Sequence, residues 1–255
     1  MLLKEFKTDR LLVRAFTGRD EMGAFAAAEA AGVIRTLLAE KEEVNIMFAA
    51  APSQNDVLDH LLQEGGIVWE RINAFHMDEY VGMDPQCSAS FCNYLTRTIF
   101  ARRPFKSVHY LQGLAADPDG EARRYEEVLR VHPLDLCFMG IGENGHVAFN
   151  DPPVADFDDP RLVKVVELET ACRMQQVHDG CFPSLEDVPT HALTVTVPGL
   201  LQAKTLICCV PSSTKAAAVR AAVEDPVSTA CPATILRTHR DARLYVDEAA
   251  GTHIL

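Results

Sequence analysis

Basic residues are in short supply in this chain of 255 residues: 24 Lys and Arg stand against 36 Asp and Glu, a net charge of −12. That balance argues against nucleic acid and anionic membranes as partners, because both require a basic footprint. A small anionic substrate stays open, since a local group of donors can overcome a global field. The eight cysteines form no C-x-x-C pair, and several sit in apolar runs. Zinc and disulfide frameworks are therefore not expected, and the thiols read as reduced and mostly buried, as in a cytoplasmic protein. No run approaches roughly 18 uncharged apolar residues, the length of a membrane span. The first ten residues carry Lys4, Glu5, Lys7, Asp9 and Arg10 where a secretory signal has its apolar core. Internal repeats, Gly/Ser linkers and long charge blocks are missing too. With 48% apolar residues, disorder is not expected, and residues 1–255 read as a single domain able to bury its own core.

What is present is an alternation of short apolar runs and Ala- or Leu-rich helical stretches. Residues 44–51, 71–77, 134–141, 191–197, 205–210 and 244–246 read as strands. Residues 21–41, 53–64, 90–101, 121–131 and 212–223 read as helices, with Asp20 as an N-cap and Ser53/Asp56 as a capping box. This alternation predicts an α/β fold, a mostly parallel sheet flanked by helices in a Rossmann-like three-layer sandwich. Ligands in such folds bind beyond the carboxyl ends of the strands, so the segments after the strands are where chemistry is expected.

After the second predicted strand, Met77-Asp78-Glu79-Tyr80-Val81-Gly82 places two carboxylates together. Successive strand residues face opposite sides, so Asp78 and Glu79 are expected to do different work. A desolvated carboxylate at a strand end is a usable base; a solvated loop or cap carboxylate is the other reading. Gly140-Ile141-Gly142-Glu143-Asn144-Gly145-His146 continues into Val147-Ala148-Phe149-Asn150-Asp151-Pro152. Its glycines allow a sharp turn and close backbone approach, but the segment leads to His146 and two prolines rather than to a dinucleotide-binding helix. His146, with Asn144 and Asp151 nearby, is either a structural histidine or a proton shuttle. Lys215 follows Ser212-Ser213-Thr214 at a predicted helix start. A cation there is unfavourable unless an anion is bound; a solvated surface lysine is the alternative. Ser53 either caps its helix or meets a ligand. Arg173 is either a phosphate ligand or an ordinary surface arginine.

Taken together, Met-Asp-Glu-Tyr-Val-Gly at 77–82 and Gly-Ile-Gly-Glu-Asn-Gly-His-Val-Ala-Phe-Asn-Asp-Pro at 140–152 resemble the glucosamine-6-phosphate deaminase family, also called glucosamine-6-phosphate isomerases. The resemblance extends from about Val44 to Val246 and includes His191-Ala192-Leu193-Thr194-Val195 and the Lys215 segment. The related 6-phosphogluconolactonases tend to carry Arg at the place of Tyr80 and Thr-Ala-Ser-Leu-Phe in place of 147–150; this chain follows the deaminases at both. The resemblance implies conversion of glucosamine 6-phosphate and water to fructose 6-phosphate and ammonia, without metal or organic cofactor, in the cytoplasm, by a homo-oligomer. It further implies that Asp78 moves the proton between carbons 2 and 1, that His146 opens the sugar ring, and that Asn144 and Asp151 orient it. Ala50, Ser53, Gln54, Gly145, Arg173 and Lys215 are the implied substrate contacts, Lys215 on phosphate. Position 144 is Asn where many members have Asp, so Asp151 becomes the carboxylate partner of His146. Ala50-Ala51-Pro52-Ser53-Gln54-Asn55 stands where the family has a glycine-rich phosphate turn, and Arg173 is the nearest candidate for its phosphate arginine. The same chemistry on another hexosamine phosphate such as galactosamine 6-phosphate, lactone hydrolysis, and a non-catalytic sugar-phosphate sensor are the competing readings.

Overall fold

A computed structural model describes all residues from 1 to 255. In chain order the elements are β1 (Leu2–Thr8), β2 (Leu11–Phe16), α1 (Arg19–Glu40), β3 (Val44–Phe48), α2 (Asn55–Leu61), β4 (Ile72–His76), β5 (Asp78–Tyr80), α3 (Phe91–Leu95), β6 (Ser107–His109), α4 (Pro118–Val131), β7 (Leu136–Met139), β8 (Val163–Glu167), α5 (Thr170–His178), β9 (His191–Val195), α6 (Val197–Leu201), β10 (Thr205–Val210), α7 (Ala216–Glu224) and β11 (Ala242–Asp247). An eight-stranded sheet runs in the order β1-β2-β11-β10-β7-β3-β4-β6. All its pairings are parallel except the β1–β2 hairpin, as the alternation predicts.

The central strands β3, β4, β7 and β10 are buried at every position and mostly apolar, because both faces are covered. In β10, Leu206, Cys208 and Val210 pack on one side with α4 and α7, whereas Ile207 and Cys209 pack on the other with α1 and α2. The two-residue side-chain period of a strand thus feeds two separate cores. On the second face, Phe48 stacks on Phe138 at 5.4 Å between ring centroids. The helix α1 is long and apolar enough by composition to cross a membrane, yet its Met22, Ala26, Ala27, Ala30, Ala31, Ile34 and Leu38 stripe is buried against sheet and α2. Gly23 lets the two helices touch: a β-carbon there would sit 2.6 Å from Cβ of Asp56.

Several local expectations change. Residues 191–195 do form a strand, but β9 does not join the main sheet. It is the centre of a three-stranded antiparallel sheet, β5-β9-β8. The β1–β2 hairpin and β6 also carry no clear sequence signal. Gly18, not Asp20, precedes α1 as its cap, and Asp20 instead meets His60 at 2.8 Å. The 53/56 capping box is absent: Ser53 Oγ accepts from Gln54 Nε2, and Asp56 binds Arg19. The segment preceding α2 is a short 3₁₀ turn, Pro52–Gln54. A second, Ser213–Lys215, precedes α7.

Candidate active site

Strands β3, β4 and β6 succeed one another toward one edge of the sheet, and β7, β10 and β11 toward the other. The order therefore reverses between β3 and β7, and chains leaving these adjacent strands diverge to opposite faces. A crevice at such a switch point is where open α/β sheets bind ligands. Here it is a cavity of about 220 Å³, walled by the segments that follow β3, β4, β7 and β10 and by α5.

Asp78 enters this cavity from β5. That strand pairs with β9 through Asp78 opposite Thr194, and Val195 N donates to Met77 O at 2.7 Å, so the small sheet carries the carboxylate over the crevice. The Asp78 side chain is buried and accepts no hydrogen bond. Burial first, and the charge of Glu79 second, push its carboxyl well above the usual range. Glu79 faces away. Its Oε1 accepts from Tyr80 N and Phe91 N, and its Oε2 accepts from Ser90 Oγ and Cys92 N, at 2.7–3.2 Å. It closes the start of α3, a structural task.

His146 faces Asp78's cavity from the loop after β7. Its Nδ1 lies 2.7 Å from Asn144 Oδ1 and 3.0 Å from Asp151 Oδ1. Two acceptors on one ring nitrogen require Nδ1 to carry the proton, which leaves Nε2 as the free acceptor. Asn144 Nδ2 in turn donates to Asp151 Oδ1 at 2.8 Å and to Glu169 Oε2 at 3.3 Å. Burial raises the Asp151 carboxyl, but His146, Asn144 and Cys172 more than offset it and hold it below the usual range. The imidazole lies directly on Gly142: a β-carbon there would be 2.2 Å from its Cε1. His146, Asp151 and Cys172 bring three donor atoms within 4.8 Å of one another. Burial, reinforced by Asp151, raises the Cys172 thiol far above its usual range. It therefore suits a neutral S–H beside the carboxylate better than a thiolate metal ligand.

On the same cavity wall as Asp78 and His146, Lys215 Nζ is buried with no hydrogen-bond partner. Burial lowers its pKa, and Asp179 and Glu143 draw it back toward the ordinary value. An unpartnered buried ammonium is costly, and an anion entering the cavity would relieve it. Beside it, Ser212 adopts φ +90°. This unusual backbone is pinned by the Asp247 carboxylate, which accepts from Ser212 N at 3.1 and 3.2 Å.

With this geometry in view, the chain was compared with known proteins. A family profile described as glucosamine-6-phosphate isomerases/6-phosphogluconolactonase matches residues 17–246. The chain belongs to this family. The glucosamine-6-phosphate deaminase of Listeria monocytogenes serotype 4a (strain HCC23) is 32% identical over 210 residues, covering 82% of this chain and 88% of that protein. The enzyme of the same name from Bacillus thuringiensis (strain Al Hakam) is 36% identical over 180 residues, covering 71% and 67%. A solved monomeric glucosamine-6-phosphate deaminase superimposes with a TM-score of 0.83 at 27% identity, over 94% of this chain and 98% of that one. The 6-phosphogluconolactonase of Thermotoga maritima shares the fold, with a TM-score of 0.75 at 19% identity over 93% and 99%.

As a member of this family, the chain assembles only part of the site anticipated from sequence. Asp78, His146, Ala50, Ser53 and Lys215 meet at one cavity. Asn144 and Asp151 stand behind His146 rather than on the wall. Gln54 is turned inward, where its Nε2 donates to Cys209 O at 3.1 Å and ties the loop after β3 to β10. Gly145 is a turn residue at φ +83°, packed on Cys231. Arg173 is not at the cavity at all. Its Nη2 donates to Leu185 O and Val188 O at 2.7 and 2.8 Å, fastening α5 to the following turn. Sequence reasoning missed Gln175 and Gln176, which the same helix presents to the cavity, and Arg19 at the start of α1; Asp179, which with His178 falls near the place of the family's phosphate arginine, lines the cavity from the C-cap of α5. The α5 residues carried a weak signal, being polar at helical spacing; Arg19 carried none.

Proposed function

We propose that this protein deaminates and isomerises glucosamine 6-phosphate to fructose 6-phosphate and ammonia. The observation that carries the reading is the pairing, across one cavity, of an unpartnered high-pKa carboxylate, Asp78, with an imidazole whose free nitrogen is Nε2. His146 Nε2 takes the proton of the anomeric hydroxyl and returns one to the ring oxygen, opening the ring. Asp78 then removes the proton from carbon 2 of the aldehyde form while O1 takes up a proton, giving an enolamine, and delivers its proton to carbon 1 as the ammonium on carbon 2 gives up the proton that balances O1. The resulting imine at carbon 2 takes up water and releases ammonia, leaving the ketose. Each acid–base group of this kind typically contributes about 10²–10⁴-fold. The deaminase relatives at 32 and 36% identity support this substrate over a lactone.

The test is release of ammonia and fructose 6-phosphate from glucosamine 6-phosphate by the purified protein, with galactosamine 6-phosphate and 6-phosphogluconolactone alongside. Equal release of both products from the glucosamine ester is the expected result. Turnover of the galactosamine ester alone would keep the reaction and change the substrate. Loss of the lactone alone, or tight binding without turnover, would overturn the reading.

A further inference from the structure

An anion held in this cavity meets two cations on its wall, and one of them comes from an element remote from the strand ends. The charged side chains that line the cavity, apart from His146, are Asp78, Asp179, Lys215 and Arg19. Asp78 serves the reacting carbons, and Asp179 repels an anion. The cations a phosphate dianion meets are therefore Lys215 and Arg19, the latter exposed and sharing its charge with Asp56, whose Oδ2 lies 2.6 Å from its Nη2. Arg173 does not contribute, since it does not line the cavity and its Nη2 fastens α5 to the following turn.

Arg19 is built to reach over the loop after β3. Its Nη2 donates to Pro52 O at 3.0 Å, and its Nε donates to Asp56 Oδ2 at 2.8 Å. One edge of the guanidinium is thus clamped, and Nη1 remains free with two N–H groups. The clamp depends on the close contact at Gly23, where α1 lies against Asp56 with no room for a β-carbon. The neighbouring residues 50–55 contain no glycine, and Pro52 supplies no N–H at all. A backbone cradle is correspondingly poor in donors there, while a planar guanidinium offers paired donors to phosphate oxygens.

We propose that Arg19 is the second phosphate-binding residue of this site, taking with Lys215 and Ser53 the load that a glycine-rich turn would otherwise carry. The assignment rests on reading the cavity as a sugar-phosphate site, but not on which reaction follows. Two measurements test it: KM and kcat for glucosamine 6-phosphate, and calorimetric affinity for inorganic phosphate. Arg19→Gln is expected to raise KM about ten- to a hundredfold with kcat within about threefold, the signature of lost uniform binding. It is expected to weaken inorganic phosphate by a similar factor, and Arg19→Lys to fall between. Arg35→Gln separates a structural role: Arg35 also ties α1 to the segment after α2, donating to Gly65 O at 2.9 Å, but it does not line the cavity, so under the proposal phosphate affinity stays within about threefold of the unaltered protein. Equal losses in Arg19→Gln and Arg35→Gln, or unchanged phosphate affinity and KM in Arg19→Gln, would overturn the assignment. Absence of phosphate binding by the unaltered protein would overturn it as well. Arg19-dependent phosphate binding with no ammonia release would sink the deaminase reading and leave this one standing.

Discussion

Asp78 and Glu79 are consecutive in the chain and occupy opposite faces of β5. The Glu79 carboxylate accepts four hydrogen bonds and the Asp78 carboxylate accepts none. The Glu79 carboxylate is compensated and that of Asp78 is not, so exchanging their environments would destroy both the start of α3 and the proposed base. A buried carboxylate without donors is a stability cost retained at a working site.

Asp78→Asn is expected to lower kcat by at least about 10²–10⁴-fold while stabilising the fold at alkaline pH. Because the folded-state pKa is raised above the unfolded value, the native protein holds this proton more tightly, and stability falls as pH rises between the two values. Removing the charge relieves that loss. The Tm difference between variant and parent should be positive at pH 8 and vanish below about pH 4, the ordinary range of Asp. A lower Tm for the variant at pH 8 would contradict the burial argument.

The same raised pKa predicts a kcat/KM that climbs with pH, with its acidic limb above the ordinary carboxylate range near pH 4. The measurement is a pH–rate profile, repeated in Asp78→Glu to see whether the limb moves.

Gly142→Ala is expected to mimic loss of His146. The added carbon would overlap the imidazole at 2.2 Å and push it off Asn144 and Asp151. A fall in kcat of about a hundredfold or more, matching His146→Gln, is the outcome to look for. Far-ultraviolet circular dichroism should stay unchanged.

Asp151→Asn should cost stability at neutral pH, and the cost should shrink on acidification. The Asp151 carboxyl is held below its usual range, so its contribution is present above the unfolded pKa and lost as pH falls through the folded one. Denaturant unfolding at pH 7 and pH 3 measures this directly.

Arg173→Ala should lower stability by about 1–3 kcal/mol, because it removes two hydrogen bonds from a charged donor to partly buried backbone carbonyls. KM should stay within about twofold. A large KM effect would return Arg173 to the site from which its placement removes it.

Much of this architecture was legible in the residues. Runs such as Thr205–Val210 are apolar at every position after the first because a central parallel strand is covered on both faces, and that run matches β10 residue for residue. The two long motifs announced the base and the histidine loop, since glycine spacing and local carboxylates are short-range features. Asn144 and Asp151 meet His146 within one loop, so their grouping also follows from local sequence.

The sequence by itself determined the helix–strand alternation, the family pattern and the residues proposed to carry protons. Tertiary structure decided the rest. It moved β9 out of the main sheet to hold Asp78 over the crevice, turned Gln54 inward, withdrew Arg173, and brought Arg19 from α1 to the same cavity as Lys215. The reason is range. Periodicity and turn chemistry act over a few residues, whereas these placements depend on contacts between elements distant in the chain. The approach of Gly23 to Asp56 is one such contact, and no local pattern encodes it.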